Sequence, residues 1–386
     1  MKIAIVGPAY PLRGGIAHYT TLLAAHLSAQ HETRLYSFER QYPAWLFPGR
    51  SQLDPSEKPL AAIDAQRWLT PWWPWSWRRV TADWSVWRPE RVIIQWWVPF
   101  MAPMTAWLLA CAKRQKVHST LICHNVLPHE RRRTDALVVG QVLSRADRLI
   151  VHTQPEYDRA RALLPKMPIA VTPHPTYADF QSKAWTREAA RAELKVNGKV
   201  LLFFGLVRPY KGLLDLLEAL PAILQKMDVT LLVIGEIWGK AAPYHDRVKS
   251  LGVADRVRWV DRYVSNEEAA RYFAAADLVV LPYREATGSG VLQLAFGLGV
   301  PVVATRTGGM SEAVEDGVTG FLVEPGDVAG LSRAIVRYFR EDRSGAFRAA
   351  IERSRDRFGW ARLCETLLAA EPDRQSTGIP GHSRSE

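Results

Sequence analysis

Residues 284–309 read REATGSGVLQLAFGLGVPVVATRTGG and set a carboxylate, a glycine turn and an amide in a fixed order. Glu285 follows the apolar run LVVLPY, Gly288-Ser289-Gly290 comes next where an apolar helix begins, and Gln293 falls on that helix. Glycines at a helix start remove side-chain bulk, so backbone amides can approach a phosphate. A carboxylate and an amide nearby can hydrogen-bond hydroxyl groups. Two other stretches share this setting. KIAIVG (2–7) runs into GPAYPLRGGIAHYT, where Gly14-Gly15 precede a helix. That turn offers N–H groups to a phosphate, or is a simple tight turn; it is not the dinucleotide GxGxxG pattern. In FFGLVRPYKG (203–212), Arg208 and Lys211 stand between a strand end and a helix start. Two cations there suit a diphosphate through charge-assisted hydrogen bonds, although alone they read equally as solvated surface.

These residues need strands to position them. In the first half the candidates are KIAIVG (2–7), TRLYSF (33–38), RVIIQWW (91–97), STLICHN (119–125), RLIVHT (148–153) and IAVTPH (169–174). In the second half they are VLLFFG (200–205), VTLLVIG (229–235), VRWVDRY (257–263), LVVLPY (278–283), PVVAT (301–305) and GFLV (320–323). Continuous apolar strands alternating with helical stretches indicate parallel sheets covered on both faces. The polar, strandless segment 175–197 marks a boundary between two doubly wound α/β domains. In such sheets ligands bind outside the carboxyl ends of strands, which is where every motif above lies. His124, His152 and His174 also end strands.

The chain has 386 residues and a net charge of +11. Residues 1–180 carry 22 Lys+Arg against 13 Asp+Glu, a balance of +9. That points to an anionic partner for the first half, such as an acidic membrane surface or a phosphate-bearing acceptor; scattered solvated arginines would give the same count. Three distant cysteines imply a reducing compartment without disulfides. The apolar start is too short for a signal peptide, and no stretch is long enough to span a membrane. Eleven of the 15 tryptophans lie between Trp45 and Trp107, in runs such as TPWWPWSW (70–77) and QWWVPF (95–100). Trp96 and Trp97 are expected near a strand end facing the cleft. The proline-broken cluster 68–77 is expected not to form a regular helix. Aromatic faces can stack on sugars and indoles favour membrane interfaces; a satellite core under a long loop accounts for the same pattern. Arg131-Arg132-Arg133 reads as a solvated or anion-facing loop.

The order of Glu285, the glycine turn and position 293, followed by GVPVVAT and a Gly-Gly turn, resembles the retaining glycosyltransferases of family 4, or group 1. The resemblance covers nearly the whole chain through Gly14-Gly15, ICHN (122–125), RPYKG (208–212), ADLVVLPY (276–283), TGGMSE (307–312) and GVTGFLVEPGD (317–327). It implies a GT-B fold, an α/β architecture of two Rossmann-like doubly wound domains facing across a cleft. Residues 1–178 would form the acceptor-side domain, with a helix at about 359–370 packing back on it. Residues 197–357 would bind the nucleotide sugar, and 371–386 would be a disordered tail. By resemblance, His124 and Glu285 are the catalytic candidates, Glu285 meeting hydroxyls of the donor sugar and His124 lying beside the transferred sugar. Gly14, Gly15, Arg208, Lys211, Ser289, Gly290 and Val291 would hold the donor, with Trp96 and Trp97 on the acceptor side. Two positions depart from the family. Gln293 stands where a glutamate normally grips the ribose, and can still bond a diol. Leu206 stands where many members have an arginine.

The expected function is transfer of a hexosyl unit from a nucleotide-diphosphate sugar to a carbohydrate or lipid-linked acceptor, with retained configuration. It would serve cell-envelope or polysaccharide biosynthesis, in the cytoplasm and peripherally at the inner face of an anionic membrane. Resemblance implies no metal, no cofactor beyond the co-substrate and no nucleic-acid partner. A GT-B-type sugar-nucleotide epimerase and a catalytically silent sugar-binding protein are the alternatives, the latter because of Gln293.

Overall fold

A computed structural model describes residues 1–47, 49–128, 135–180 and 185–369. The first sheet contains β1 (Lys2–Val6), β2 (Glu32–Phe38), β3 (Ala65–Leu69), β4 (Arg91–Trp96), β5 (His118–Cys123), β6 (Arg148–Val151) and β7 (Ile169–Val171). Their order is β3-β2-β1-β4-β5-β6-β7. The second sheet contains β8 (Lys199–Phe204), β9 (Val229–Ile234), β10 (Val257–Val260), β11 (Leu278–Leu281), β12 (Val302–Thr305) and β13 (Gly320–Val323), in the order β10-β9-β8-β11-β12-β13. The pairings are parallel throughout. Central strands such as β11 are buried along their whole length, because helices cover both faces. This is the doubly wound, two-sheet fold that the alternation of apolar runs predicts.

Two elements depart from expectation. Strand β3, AQRWL, has no continuous apolar run; it sits at the sheet edge beside β2, where polar side chains reach solvent. The tryptophan cluster does enter a regular helix, Pro74–Trp87. Pro74 occupies a first-turn position, where an N–H would lack an intrahelical partner in any case, so it starts the helix instead of breaking it. That helix buries Trp77, Val80, Trp84 and Trp87 at three- and four-residue spacing.

Trp96 and Trp97 are also packed inside, 1% and 6% exposed. The Trp97 indole donates to the Tyr42 hydroxyl at 2.8 Å. Neither ring offers a face to a sugar, which corrects their assignment to the acceptor side. They end a central strand, and the loop carrying Tyr42 covers them. The exposed tryptophans lie elsewhere: Trp45, Trp72, Trp73 and Trp75.

The chain crosses between the sheets through Thr176–Phe180. Gly297 lets it pass, since a Cβ there would lie 2.6 Å from the Tyr177 carbonyl carbon. Helix Trp360–Leu368 then returns to the first sheet. Trp360 packs 5.2 Å from the Tyr19 ring and stacks on His26 at 5.4 Å. The Arg91 and Arg148 guanidiniums donate to the carbonyls of Leu367 (3.0 Å) and Thr366 (2.8 Å). Among the described residues, no helix is long and apolar enough to cross a membrane. The arginine run 131–133 and the tail 371–386 lie outside the described residues.

Candidate active site

Two cavities open between the carboxyl ends of the sheets, and Gly15, Tyr177 and Gly290 line both. Tyr177 ties the halves together, its hydroxyl donating to the Gly15 carbonyl at 3.1 Å.

The first cavity has a volume of about 240 Å³. Lys211 and Glu236 are the Lys, Arg, Asp or Glu residues in its wall; Gly14, Leu206, Val291 and Leu294 complete the surfaces that matter here. Gly14 adopts φ 111°, which only glycine takes without strain, and its N–H donates to the Tyr263 hydroxyl at 3.1 Å. This turn opens the helix Gly15–Ser28. Opposite, helix Gly290–Gly297 starts behind Ser289, whose Oγ accepts the Leu292 N–H at 3.2 Å. The first N–H groups of a helix have no intrahelical acceptor, so two helix starts face one space. Burial pushes the Lys211 ammonium below its usual pKa, and the Arg208 charge adds to this.

Glu236 follows β9 and is almost fully buried. Its Oε1 accepts the Arg50 N–H at 2.7 Å and its Oε2 accepts the Arg13 guanidinium at 2.5 Å. Burial alone would raise this carboxyl, but those donors and the Trp238 indole hold it below its ordinary range. Arg13 and Glu236 lie on opposite domains, and both side chains are nearly inaccessible. The pair therefore clasps the cleft at the cavity wall.

The second cavity, about 300 Å³, receives Gln293, His124, His152 and His174. On helix Gly290–Gly297 each residue turns by about 100°. Val291 and Leu294 thus share the face toward the first cavity, while Gln293 turns to the second. Gln293 is 4% exposed and its Oε1 has no hydrogen-bond partner. Gln293, expected to meet the ribose, thus lines the second cavity and not the first.

The histidines form one cluster with Tyr19. His124 lies edge-on to Tyr19 at 4.7 Å and shares a 2.7 Å hydrogen bond with Gln95 through Nε2. Rings of His152 and His174 are 5.1 Å apart. Burial, followed by the neighbouring histidines, holds His124 well below its normal range. Burial and His174 push His152 down to about 3, and burial pushes His174 to about 4.

The remaining candidates are spread wider. Ser289 lines the second cavity and Gly290 both. Glu285 is exposed and lines neither. Arg208 also lies outside both, its guanidinium 5.5 Å from the Trp238 ring and 5.8 Å from Tyr210. Sequence reasoning missed Arg13, Glu236, Tyr177 and Tyr263. Glu236 follows a strand end in the pattern VIGE, a position where a carboxylate could have been noted. Among the described residues, no group of three or more His, Cys, Asp or Glu could hold a metal ion.

Two doubly wound domains meeting carboxyl end to carboxyl end, with glycine-led helix starts facing a cleft, define a GT-B architecture. The profile of the group 1 glycosyl transferases matches residues 198–341, and that of Glycosyltransferase Family 4 matches residues 13–180. The chain belongs to this glycosyltransferase family. D-inositol 3-phosphate glycosyltransferase of Actinosynnema mirum is 33% identical over 296 residues, covering 72% of this chain and 67% of that protein. The enzyme of the same name from Geodermatophilus obscurus is 33% identical over 256 residues, 61% of this chain and 55% of that one. The chain thus spans between about half and two thirds of these relatives. Among solved structures, sucrose-phosphate synthase from Thermosynechococcus elongatus superposes with a TM-score of 0.72 at 19% identity, covering 96% of this chain and 100% of that one. Anabaena Alr3699/HepE in complex with UDP gives 0.71 at 19% identity, covering 95% and 99%.

Proposed function

We propose that the protein transfers a hexosyl unit from a nucleotide-diphosphate sugar, binding the nucleoside diphosphate in the first cavity. The observation that carries this is a single wall holding one buried cation, Lys211, and one buried carboxylate, Glu236, beside two helix starts. Lys211 and the helix amides meet the diphosphate. Glu236, a double acceptor, suits the two hydroxyls of a ribose diol better than Gln293 does. A nucleotide-sugar donor is also supported by HepE, which has been solved with UDP and with UDP-glucose. As the glycosyl bond breaks, negative charge grows on the leaving diphosphate, and Lys211 with the amides stabilises it. In front-face chemistry that diphosphate takes the acceptor's proton and configuration is retained. Glu285 then serves the sugar hydroxyls: Glu285→Ala should slow turnover roughly 10²–10³-fold with UDP affinity unchanged. The test is nucleotide release from UDP-, GDP- and ADP-sugars. An epimerase would convert the sugar without an acceptor, a silent binder would release nothing, and failure to bind any of the three would end the donor reading.

A lipid-linked acceptor at an anionic membrane is favoured by one further observation. Trp72, Trp73 and Trp75 are 39%, 56% and 63% exposed, just beyond the carboxyl end of β3, with Arg78 4.8 Å over Trp75. From Trp72, ring contacts run through Phe100 (6.4 Å), Tyr42 (5.9 Å) and Phe47 (6.0 Å) to Trp238 (5.9 Å). Trp238 touches Glu236. This path joins an interfacial surface to the donor cavity. Sedimentation with anionic vesicles should weaken but persist at high salt, because indole insertion is not screened. Absence of sedimentation even at low salt would end the membrane reading.

A further inference from the structure

We propose that Gln95 is a positioning residue of the transfer reaction: its amide oxygen accepts the Nε2–H of His124 and so presents the bare Nδ1 of that ring to the second cavity. This rests on the reading of His124 as the group beside the transferred sugar; the grip of Gln95 on the ring is a separate matter of geometry.

Strand register brings the two side chains together. Gln95 lies on β4 opposite Ile122 of β5, and His124 comes two residues after Ile122. Side chains two apart along a strand share a face, so the amide and the imidazole meet on one side of the sheet. The His124 backbone is fixed as well, its N–H donating to the Trp96 carbonyl at 2.9 Å. Gly7, just after β1, makes the room. A Cβ there would lie 2.5 Å from Gln95 Cγ and 2.9 Å from Thr20 Oγ1. The glycine that ends the run KIAIVG is therefore what lets the Gln95 side chain fit.

The hydrogen bond sets the chemistry of the ring. Gln95 is 2% exposed, and its Oε1 lies 2.7 Å from His124 Nε2. An amide oxygen can only accept, so Nε2 carries the proton and the neutral ring has an unprotonated Nδ1. Burial, and after it the neighbouring histidines, keep the ring neutral. Among the described residues Nδ1 has no hydrogen-bond partner; it is not a sealed atom, so it is reached from the cavity that His124 lines. Tyr19 edge-on at 4.7 Å and His152 at 5.7 Å flank the ring and hold its plane. The other end of the amide, Gln95 Nε2, is buried without a partner. Such an unmet donor is unfavourable, and an apolar residue in the strand RVIIQW would avoid it. The amide is thus explained by what it holds. Held this way, His124 accepts a hydrogen bond from a hydroxyl and cannot donate one. Without Gln95 the proton is free to shift to Nδ1, and the same hydroxyl would meet a donor instead.

The test is the tautomer of His124 in long-range proton–nitrogen NMR spectra of the full chain, assigned by comparison with His124→Ala. Wild type should show one neutral form, protonated on Nε2. Gln95→Leu should show a mixture of the two neutral forms, and Gly7→Ala, which crowds the amide out of place, should do the same. Kinetics supply a second reading. In nucleotide release from UDP-, GDP- and ADP-glucose, Gln95→Leu should lower kcat roughly 10-fold, the scale of one misdirected hydrogen bond, with KM and UDP affinity within about twofold. In a His124→Ala background the same change should slow release by less than about twofold more, because Gln95 acts through the ring. A full loss in that background would show a packing role alone and overturn the proposal. So would wild-type His124 protonated on Nδ1, or a Gln95→Leu spectrum identical to that of wild type. The wild-type spectrum decides even if a variant does not fold. Full activity of His124→Ala would remove His124 from the reaction and end the part of Gln95 in it. A protein that releases nothing from any of the three sugars would instead refute the transferase reading, and the spectra would still judge the grip of Gln95.

Discussion

The two cavities share three wall residues yet differ in the titratable groups they hold. In the first, a buried ammonium and a buried carboxylate are kept, the carboxylate held ionised by Arg13 and the Arg50 N–H. In the second, desolvation holds three half-buried imidazoles toward their neutral form. Burying charge is costly unless a partner supplies the opposite charge. Charge is therefore retained where the ligand or the protein brings that partner, as Arg159 and the Val126 N–H do for Glu156 in the second cavity, and the imidazoles there have no such partner.

Acid should separate the two most strongly. Unfolded histidines bind protons below about pH 6.5, whereas folded His152 and His174 resist down to about 3 and 4. The unfolded state then holds more protons, so stability is intact above pH 6.5 and falls as pH drops toward 4. Each buried histidine contributes a slope of about 1.4 kcal/mol per pH unit across that window. Glu236, held below its ordinary range, contributes stability that is lost only below about pH 4.5. Calorimetric Tm measured from pH 7.5 to 5 should fall steeply, and His152→Phe should flatten the curve. A Tm that is level to pH 5 would show the histidines are not buried and neutral.

Next in size is the phosphate contact. Lys211→Ala should weaken UDP roughly 100-fold, the scale of a buried charge-assisted bond, while affinity for uridine changes far less. Equal losses for UDP and uridine would mean that Lys211 does not meet the phosphates. Glu236→Gln should have a smaller effect on affinity, about 10-fold. The preference for UDP over 2′-deoxy-UDP should shrink with it; an undiminished preference would place the ribose elsewhere. Smallest of all, replacing Trp72, Trp73 and Trp75 by Ala should change UDP affinity less than about twofold and stability by no more than about 0.5 kcal/mol per site. It should remove only the salt-resistant part of vesicle binding.

What could be read from the sequence depended on whether the signal was local. Apolar runs such as LVVLPY and VTLLVIG are self-contained, so the sheets were legible. Strand β3 was not, because an edge strand can be polar. Pro74 shows that a proline's meaning depends on its place in the helix, which composition does not give. The spacing of Gln293 from Glu285 located the helix but not which of its faces would meet which cavity. Trp96 ends β4 and Trp97 follows it, yet only the fold shows that both are packed inside and that Trp97 bonds to Tyr42. Arg13 and Glu236 are 223 residues apart. A pair at that distance leaves no local pattern.

The returning helix Trp360–Leu368 also has a bearing on how the protein is made. It covers Tyr19 and His26 on the first helix of the chain, and those residues leave the ribosome about 340 positions earlier. At roughly 5–20 residues per second of synthesis, that surface waits on the order of 20–70 seconds for its cover. The first domain is thus begun first and finished last. Its nascent form, with an apolar stripe uncovered while the second domain is still being made, is the stage at which a chaperone would have something to hold.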